Sequence, residues 1–432
     1  MEKSIVELKK TYIGIFSLNY FTQGITQSFF TTIIPIYLLQ LTTTLDAGEI
    51  SSVMSMILLP FGVKFIYGIL SDKFSLKKMG RRKPWIIFPS IISGLLWILV
   101  PFVLTPDNAM FLITLMGIMI VIGVAMGDTA IDGLILDLYP KERLGRIQGI
   151  CWGFRSVGII AGGPLVVMLF LGLRGVVEVS FIALGIVMIS FPFLVLLVKE
   201  GEKSLEIKAF ENLKVIFGKH KNWKVFGFSL FNAFSDGLIF VILPLFVLIQ
   251  WGLVGATGSE IDLIGNADLY APNAFVAFIV GLGVIIGALI GGRIADLKSR
   301  KRSVYYSFLI TTISFLLFVI PVPWYILLIF AFFIGSSAGW RNSAFSAVIG
   351  QESQLYPEMD STFYATCNSF TNLGSTLGLQ LISILFLSFT GVPVFGTYAL
   401  IFLIMAAIIN VDLLPFFIMD PKEYEINKEK IE

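Results

Sequence analysis

Ionisable side chains stand inside long apolar stretches of this 432-residue sequence: Lys64, Asp128, Asp132, Arg155, Asp236 and Arg341. An unpaired charge in a nonpolar slab costs at least ~2.5–3.5 kcal/mol on insertion scales. Such groups therefore mark ion pairs, proton sites or wet cavities. Polar residues nearby recur at helical spacing. Asn19, Gln23 and Gln27 fall at i, i+4 and i+8, Asp128 and Asp132 at i and i+4, and Asn232 and Asp236 likewise, each set on one helix face. Trp340, Arg341 and Asn342 are consecutive. The Arg341 guanidinium fork suits a carboxylate or phosphate of a solute. Asp236, near the middle of its stretch, is either a proton site or the permanent counter-ion of Arg341. At a rise of ~1.5 Å per residue, Asp128 and Arg155 lie at similar depth and can pair, with Asp132 sharing the clamp. Lys64 is expected to pair with an acid of the fourth or eleventh apolar stretch. Trp340 either stacks on a ring or fills space.

Other chemistry is excluded. The chain has one histidine, His220, in a Lys-rich segment, so no His-based catalytic or metal constellation is expected. Cys151 and Cys367 read as small packing residues rather than a disulfide or metal pair. No enzyme, cofactor, metal or nucleic-acid partner is expected.

The elements that position these side chains follow from composition. Hydrophobic residues make up 56% of the chain and charged residues 14%, against roughly 45–50% and 25% in soluble domains. The apolar runs are long enough to cross a hydrocarbon core of ~30 Å, and in lipid such runs must be helices. Twelve spans are expected, at 11–40, 50–71, 84–104, 109–138, 146–171, 175–198, 223–250, 272–295, 303–320, 323–350, 362–390 and 393–419. The first is too long for a signal-peptide core and lacks a small-residue cleavage site, so it is expected to be retained. Of the 31 Lys and Arg residues, 27 fall in the termini and alternate loops that an even span count puts on one side. The opposite loops carry Asp46, Glu49, Asp107, Glu260, Asp262 and Asp268. The basic side is cytoplasmic by the positive-inside rule, which places both termini there in an inner or plasma membrane.

The chain also repeats itself across a charged segment at 199–222. Asn19-Tyr20-Phe21-Thr22-Gln23-Gly24 is answered by Asn232-Ala233-Phe234-Ser235-Asp236-Gly237, and Gly68-Ile69-Leu70-Ser71-Asp72 by Gly292-Arg293-Ile294-Ala295-Asp296. Leu138-Tyr139-Pro140 is answered by Leu355-Tyr356-Pro357. The matches are colinear, and the offset between partners is nearly constant.

Two parallel six-helix repeats, with Gly68-x-x-Ser71-Asp72 leading to Gly80-Arg81-Arg82-Lys83, resemble the major facilitator superfamily over nearly the whole chain. Lys64-Phe65, Gly127-Asp128-Thr129-Ala130-Ile131-Asp132 and Leu138 to Gly145 are similar to muropeptide and acetyl-CoA permeases. Lys64-x-x-Tyr67-Gly68 with Arg81-Arg82-Lys83-Pro84-Trp85 is equally similar to folate–biopterin transporters, and Gly80 to Ile86 to sugar–cation symporters. The resemblance implies that spans one, four, seven and ten line a central cavity. It also implies that Gly68, Asp72, Gly80, Arg81 and Arg82 form a gating latch, with Arg81 or Arg82 reaching Asp137. Asp296 with Arg300 or Arg302 would be a weaker counterpart. Glycine-rich stretches at 158–163, 281–292 and 374–378 allow close helix contact.

The expected fold is an all-α membrane protein with twelve transmembrane helices in two pseudo-symmetric bundles. The bundles are 1–198 and 223–432, with 199–222 as a cytoplasmic linker. The expected function is secondary active transport of a small polar solute, anionic or ring-containing, by alternating access with proton coupling. A same-fold efflux carrier and a non-transporting assembly or sensor protein are the alternatives. The chain is expected to act as a monomer whose partners are the solute, protons and the bilayer.

Overall fold

The computed structural model describes residues 10–73, 79–139, 141–166, 177–200, 209–265, 268–356 and 359–425. Apolar stretches fold as helices because backbone groups in hydrocarbon must satisfy one another within the segment. In chain order the long helices are α1 (Lys10–Thr42), α2 (Ala47–Ser71), α3 (Lys83–Val103), α4 (Ala109–Leu138), α5 (Lys141–Ile160) and α6 (Val177–Leu197). They continue with α7 (His220–Asn232), α8 (Leu238–Gln250), α9 (Tyr270–Leu297) and α10 (Arg300–Leu317). The last are α11 (Trp324–Ser353), α12 (Thr362–Ser388) and α13 (Val394–Phe417). Among the described residues, nine of these are long and apolar enough to cross a membrane. The three other expected spans coincide with α5, the α7–α8 pair and α10. The chain is a multi-pass α-helical membrane protein.

Two local departures from regular helix bear on the site. Wide π-helical turns occupy Phe29–Ile33 in α1 and Leu238–Ile242 at the start of α8. Each lies just before a proline, Pro35 and Pro244, whose ring and missing N–H disturb the regular ladder. The expected seventh span is also broken. After Asn232 the backbone tightens, with Phe234 N–H donating to Phe231 O at 3.1 Å and Asp236 N–H to Ala233 O at 3.0 Å. Helical bonding resumes beyond Asp236.

Contacts divide the chain into two compact units, residues 1–33 with 63–210 and residues 34–62 with 211–432. The last boundary lies within the expected linker. In the first unit, α3 packs on α4 and α6, and α1 on α5. Trp97 anchors its core, stacked on Phe181 with centroids 5.8 Å apart and edge-on to Phe29.

In the second unit, α9 packs on α11 and α7 on α12. Phe226 stacks on Phe370 at 4.8 Å, and Phe246 on Tyr398 at 5.0 Å. This unit also holds a small sheet that sequence reading does not anticipate. Strands β1 (Thr44–Asp46), β2 (Val254–Thr257) and β3 (Glu260–Leu263) pair antiparallel in the order β1-β3-β2. Leu45 faces Ile261 in register. The β2–β3 hairpin turns through Gly258, whose φ of +64° only glycine adopts readily. Asp46 then caps α2, accepting from Gly48 N–H at 2.7 Å and from Ser259 Oγ at 2.5 Å.

The small-residue stretches serve close helix approach. A Cβ on Gly287 would overlap the Ser336 carbonyl, and one on Gly339 the Val284 carbonyl, so α9 and α11 touch backbone to backbone. Gly287→Val is predicted to cost about 1–3 kcal/mol or more through overpacking. Thermal unfolding of the purified protein in detergent measures this, and an unchanged midpoint contradicts it.

Candidate functional site

Among the described residues, each unit holds a buried cluster of charge within its apolar spans. In the first, Lys64 of α2 forms an ion pair with Asp128 of α4, which is 3% exposed. This is the fourth-stretch acid that sequence reading offers as one partner for Lys64. Gln23 of α1 also hydrogen-bonds the Asp128 carboxylate, and Arg155 of α5 adds its charge to the field there. Arg155 itself donates to Gln27 Oε1 at 3.2 Å. Asp132, one turn along α4, accepts a hydrogen bond from the Tyr20 hydroxyl. The polar stripe on α1 divides accordingly. Gln23 and Gln27 join the cluster, whereas Asn19 is satisfied within its own helix, donating to Ile15 O at 2.8 Å.

The second cluster forms where the seventh span breaks. Arg341 of α11 is fully buried. It donates through Nη2 to Asp236 and through Nη1 to Ser235 Oγ at 3.1 Å. Asn342 supports Asp236 and accepts from Asn232 Nδ2 at 3.1 Å. The Asp236 side chain keeps 17% exposure, so the pair has one dry partner and one that solvent can reach. Trp340 points elsewhere. Its indole N–H donates to Ser303 Oγ at 3.0 Å, and its ring fills the space left by Gly291.

The expected latch residues also converge. Arg81 donates to Asp137 at 2.6 Å. Arg82 reaches the same carboxylate at 3.4 Å and donates to Ser71 Oγ at 2.7 Å. The Arg82 guanidinium lies on Gly133, where a Cβ would collide with it, and Gly68 lets α2 approach Thr129 of α4. Asp72 falls in the last turn before residue 74, and its side chain lies outside the described residues. Gly80, at φ +92°, turns the chain so that the backbone N–H groups of Arg81, Arg82 and Lys83 meet one carboxylate, Glu200. An acid at the N-terminus of α3 satisfies orphan donors and answers the helix dipole.

Sequence reading misses Glu200 and its repeat. Glu425 accepts from Ser299 Oγ at 2.5 Å and from the N–H groups of Arg300 and Lys301 at the start of α10. Arg300 in turn donates to Gln351 and to the Tyr424 carbonyl, both at 2.8 Å. Burial pulls the Arg300 pKa below its ordinary value, with Asp296 and Glu425 opposing the shift. Glu200 and Glu425 are separated along the chain by nearly the same distance as Asp72 and Asp296, and that shared offset is the signal that identifies them. A cavity of about 820 Å³, lined by β1, β2 and residues 390–394, holds none of the expected site residues.

Residues 16–259 and 225–432 match the profile of the Major Facilitator Superfamily. A Rickettsia conorii protein named as transporter AmpG 1 is 26% identical over 284 residues, covering 62% of this chain and 66% of that one. The chain thus spans just under two thirds of the length of that relative. An Arabidopsis thaliana protein named as folate-biopterin transporter 4 is 26% identical over 157 residues, 36% of this chain and 31% of that one. The crystal structure of a D-xylose–proton symporter superposes with a TM-score of 0.66 at 16% identity, covering 92% of this chain and 97% of the symporter. At that identity the likeness is one of fold.

The Lys64–Asp128 pair gives a direct prediction. Lys64→Met alone and Asp128→Asn alone should each cost about 3–5 kcal/mol, because each removes one member of a buried ion pair. The double variant should cost clearly less than their sum. Unfolding free energies in detergent check this, and additive losses contradict it.

Proposed function

The chain belongs to the Major Facilitator Superfamily, and from that premise we propose a secondary active transporter that moves a small polar solute by alternating access with proton symport. The observation that carries this reading is the Arg341–Asp236 pair at the break in the seventh span. Broken helices place polar backbone and side chains at membrane depth, where transporters of this kind bind solutes and ions. A guanidinium held by a single carboxylate can change partners. When a proton neutralises Asp236, Arg341 loses its counter-ion and turns to an anionic group of the solute. When the solute leaves, Asp236 gives up the proton and the pair re-forms. Asn232 and Asn342 supply neutral hydrogen-bonding groups at the same place.

On this reading Asp128, Asp132, Lys64 and Arg155 form the corresponding cluster of the first unit, with Gln23 and Gln27 as its polar contacts. The Arg81–Arg82–Asp137–Glu200 network is the device that biases one conformation over another. A carrier of this type makes no covalent change in its solute. The relative named as a folate–biopterin transporter favours a solute with ring character. The charge asymmetry of the loops favours a cytoplasmic-membrane location with both termini inside.

The test is uptake into proteoliposomes with and without an inward proton gradient, offering folates, peptidoglycan fragments, acyl-CoA and sugars. A solute from this set should accumulate only with the gradient, and Asp236→Asn should abolish the gradient's effect while leaving the protein folded. Uptake by the Asn variant that still responds to the gradient rules out Asp236 as the coupling group.

A further inference from the structure

The last span carries an acid that the preceding roles leave unused. Asp412 lies in a short 3₁₀ turn, Ile409–Asp412, within α13, and is fully buried. Its place is fixed by the aromatic layer beside it. The ring of Phe228 (α7) has its centroid 5.5 Å from that of Phe345 (α11) and 4.9 Å from that of Phe416 (α13). One helical turn is about four residues. A step of four on from Phe228, and four back from Phe345 and Phe416, arrives at Asn232, Arg341 and Asp412. These three residues form the next layer, and all are fully buried.

Hydrogen-bond capacity in this layer does not balance with Asp412 ionised. The groups of these three residues without a partner are Asn232 Oδ1, Arg341 Nε and both Asp412 oxygens. That is three acceptors against a single N–H donor. One proton on Asp412 converts an acceptor into a donor, and two donors then face two acceptors. Charge points the same way. Asp236, Arg341 and Asp412 together carry one net negative charge when all are ionised, and a buried uncompensated charge is costly. One proton brings the set to neutrality.

We propose that Asp412 is a proton-binding site, coupled through Arg341 to Asp236. The step is the transfer of one proton between solvent and one carboxylate oxygen of Asp412, with no other bond changed. With the proton bound, Arg341 belongs to Asp236. With the proton gone, Asp412 is a second carboxylate competing for the same guanidinium, through the Nε that Asp236 leaves unused. Helices packed against this turn carry other ionisable groups. These are His220, Lys221 and Lys224 on α7, Arg300, Lys301, Arg302, Tyr305 and Tyr306 on α10, and Tyr398 on α13. The charge acting on Asp412 is that of Arg341. The use of this proton in a transport cycle rests on the function proposed above; its presence on Asp412 does not.

The experiment is infrared spectroscopy of the purified full chain in lipid nanodiscs at neutral pH, comparing wild type, Asp412→Asn and Asp236→Asn. The wild type should show the carbonyl band of a protonated carboxylic acid. Asp412→Asn should lose intensity in that band, and so should Asp236→Asn, because Arg341 without Asp236 takes ionised Asp412 as its counter-ion. Asp412→Asn should also melt no lower than wild type, because an amide supplies a donor and an acceptor as the neutral acid does. A wild type with no such band overturns the proposal whatever the variants do. So does a band of undiminished intensity in Asp412→Asn, or an Asp412→Asn chain that is destabilised or fails to fold. No solute enters this measurement, so its failure is separate from a failure of proton-driven uptake.

Discussion

Arg341 brings a permanent charge into the interior of a membrane bundle, and much of the second unit is arranged around it. A guanidinium does not deprotonate, so its charge has to be answered by position alone. Asp236 and Ser235 answer it from the break in the seventh span, where the backbone leaves helical geometry and brings both side chains to α11. A regular helix through 232–238 would have no reason to loosen there. The proline that follows, Pro244, and the wide turn before it supply the needed freedom. The first unit meets the same constraint with different parts. Its buried acid, Asp128, takes a lysine from α2 and a glutamine from α1. Breaking a buried pair is expensive, because it leaves a charge uncompensated in a nonpolar interior.

The repeat extends from the helices to their ends. Gly80 with Glu200, and Ser299 with Glu425, perform the same task in the two halves of the sequence. In each case the carboxylate following the last helix of a bundle binds the exposed N–H groups at the start of the third. The two versions are not copies. The first adds the Arg81 and Arg82 bonds to Asp137, whereas the second ties Arg300 to Gln351 and the Tyr424 carbonyl. The first is therefore charge against charge and the second mostly charge against neutral groups. An ion-pair network releases more readily on protonation or displacement, which suits a latch.

Much of this is legible in the sequence because the membrane makes charge conspicuous. Lys64, Asp128, Asp236 and Arg341 stand out in apolar stretches, and the structure brings them together in pairs. Asp412 obeys the same rule yet is easily passed over near the end of the last stretch, and only the packing of α7 and α11 shows what it faces. Helical spacing places Asn19 on one face with Gln23 and Gln27, but spacing cannot tell whether an amide looks outward or bonds its own backbone, as Asn19 does. Trp340 adjoins Arg341 in sequence and so points about 100° around the helix from it, toward Ser303. The β1–β3 pairing is illegible for another reason. Its strands are very short and come from opposite halves of the sequence, so no local pattern announces them.

In proton symport a proton moves with the solute. The most direct measurement is the pH of a lightly buffered medium around proteoliposomes when a transported solute is added, followed with a pH electrode or dye. Proton symport predicts that the medium turns alkaline as solute enters, in fixed proportion to the solute taken up. Solute entry with no change in external pH contradicts the account.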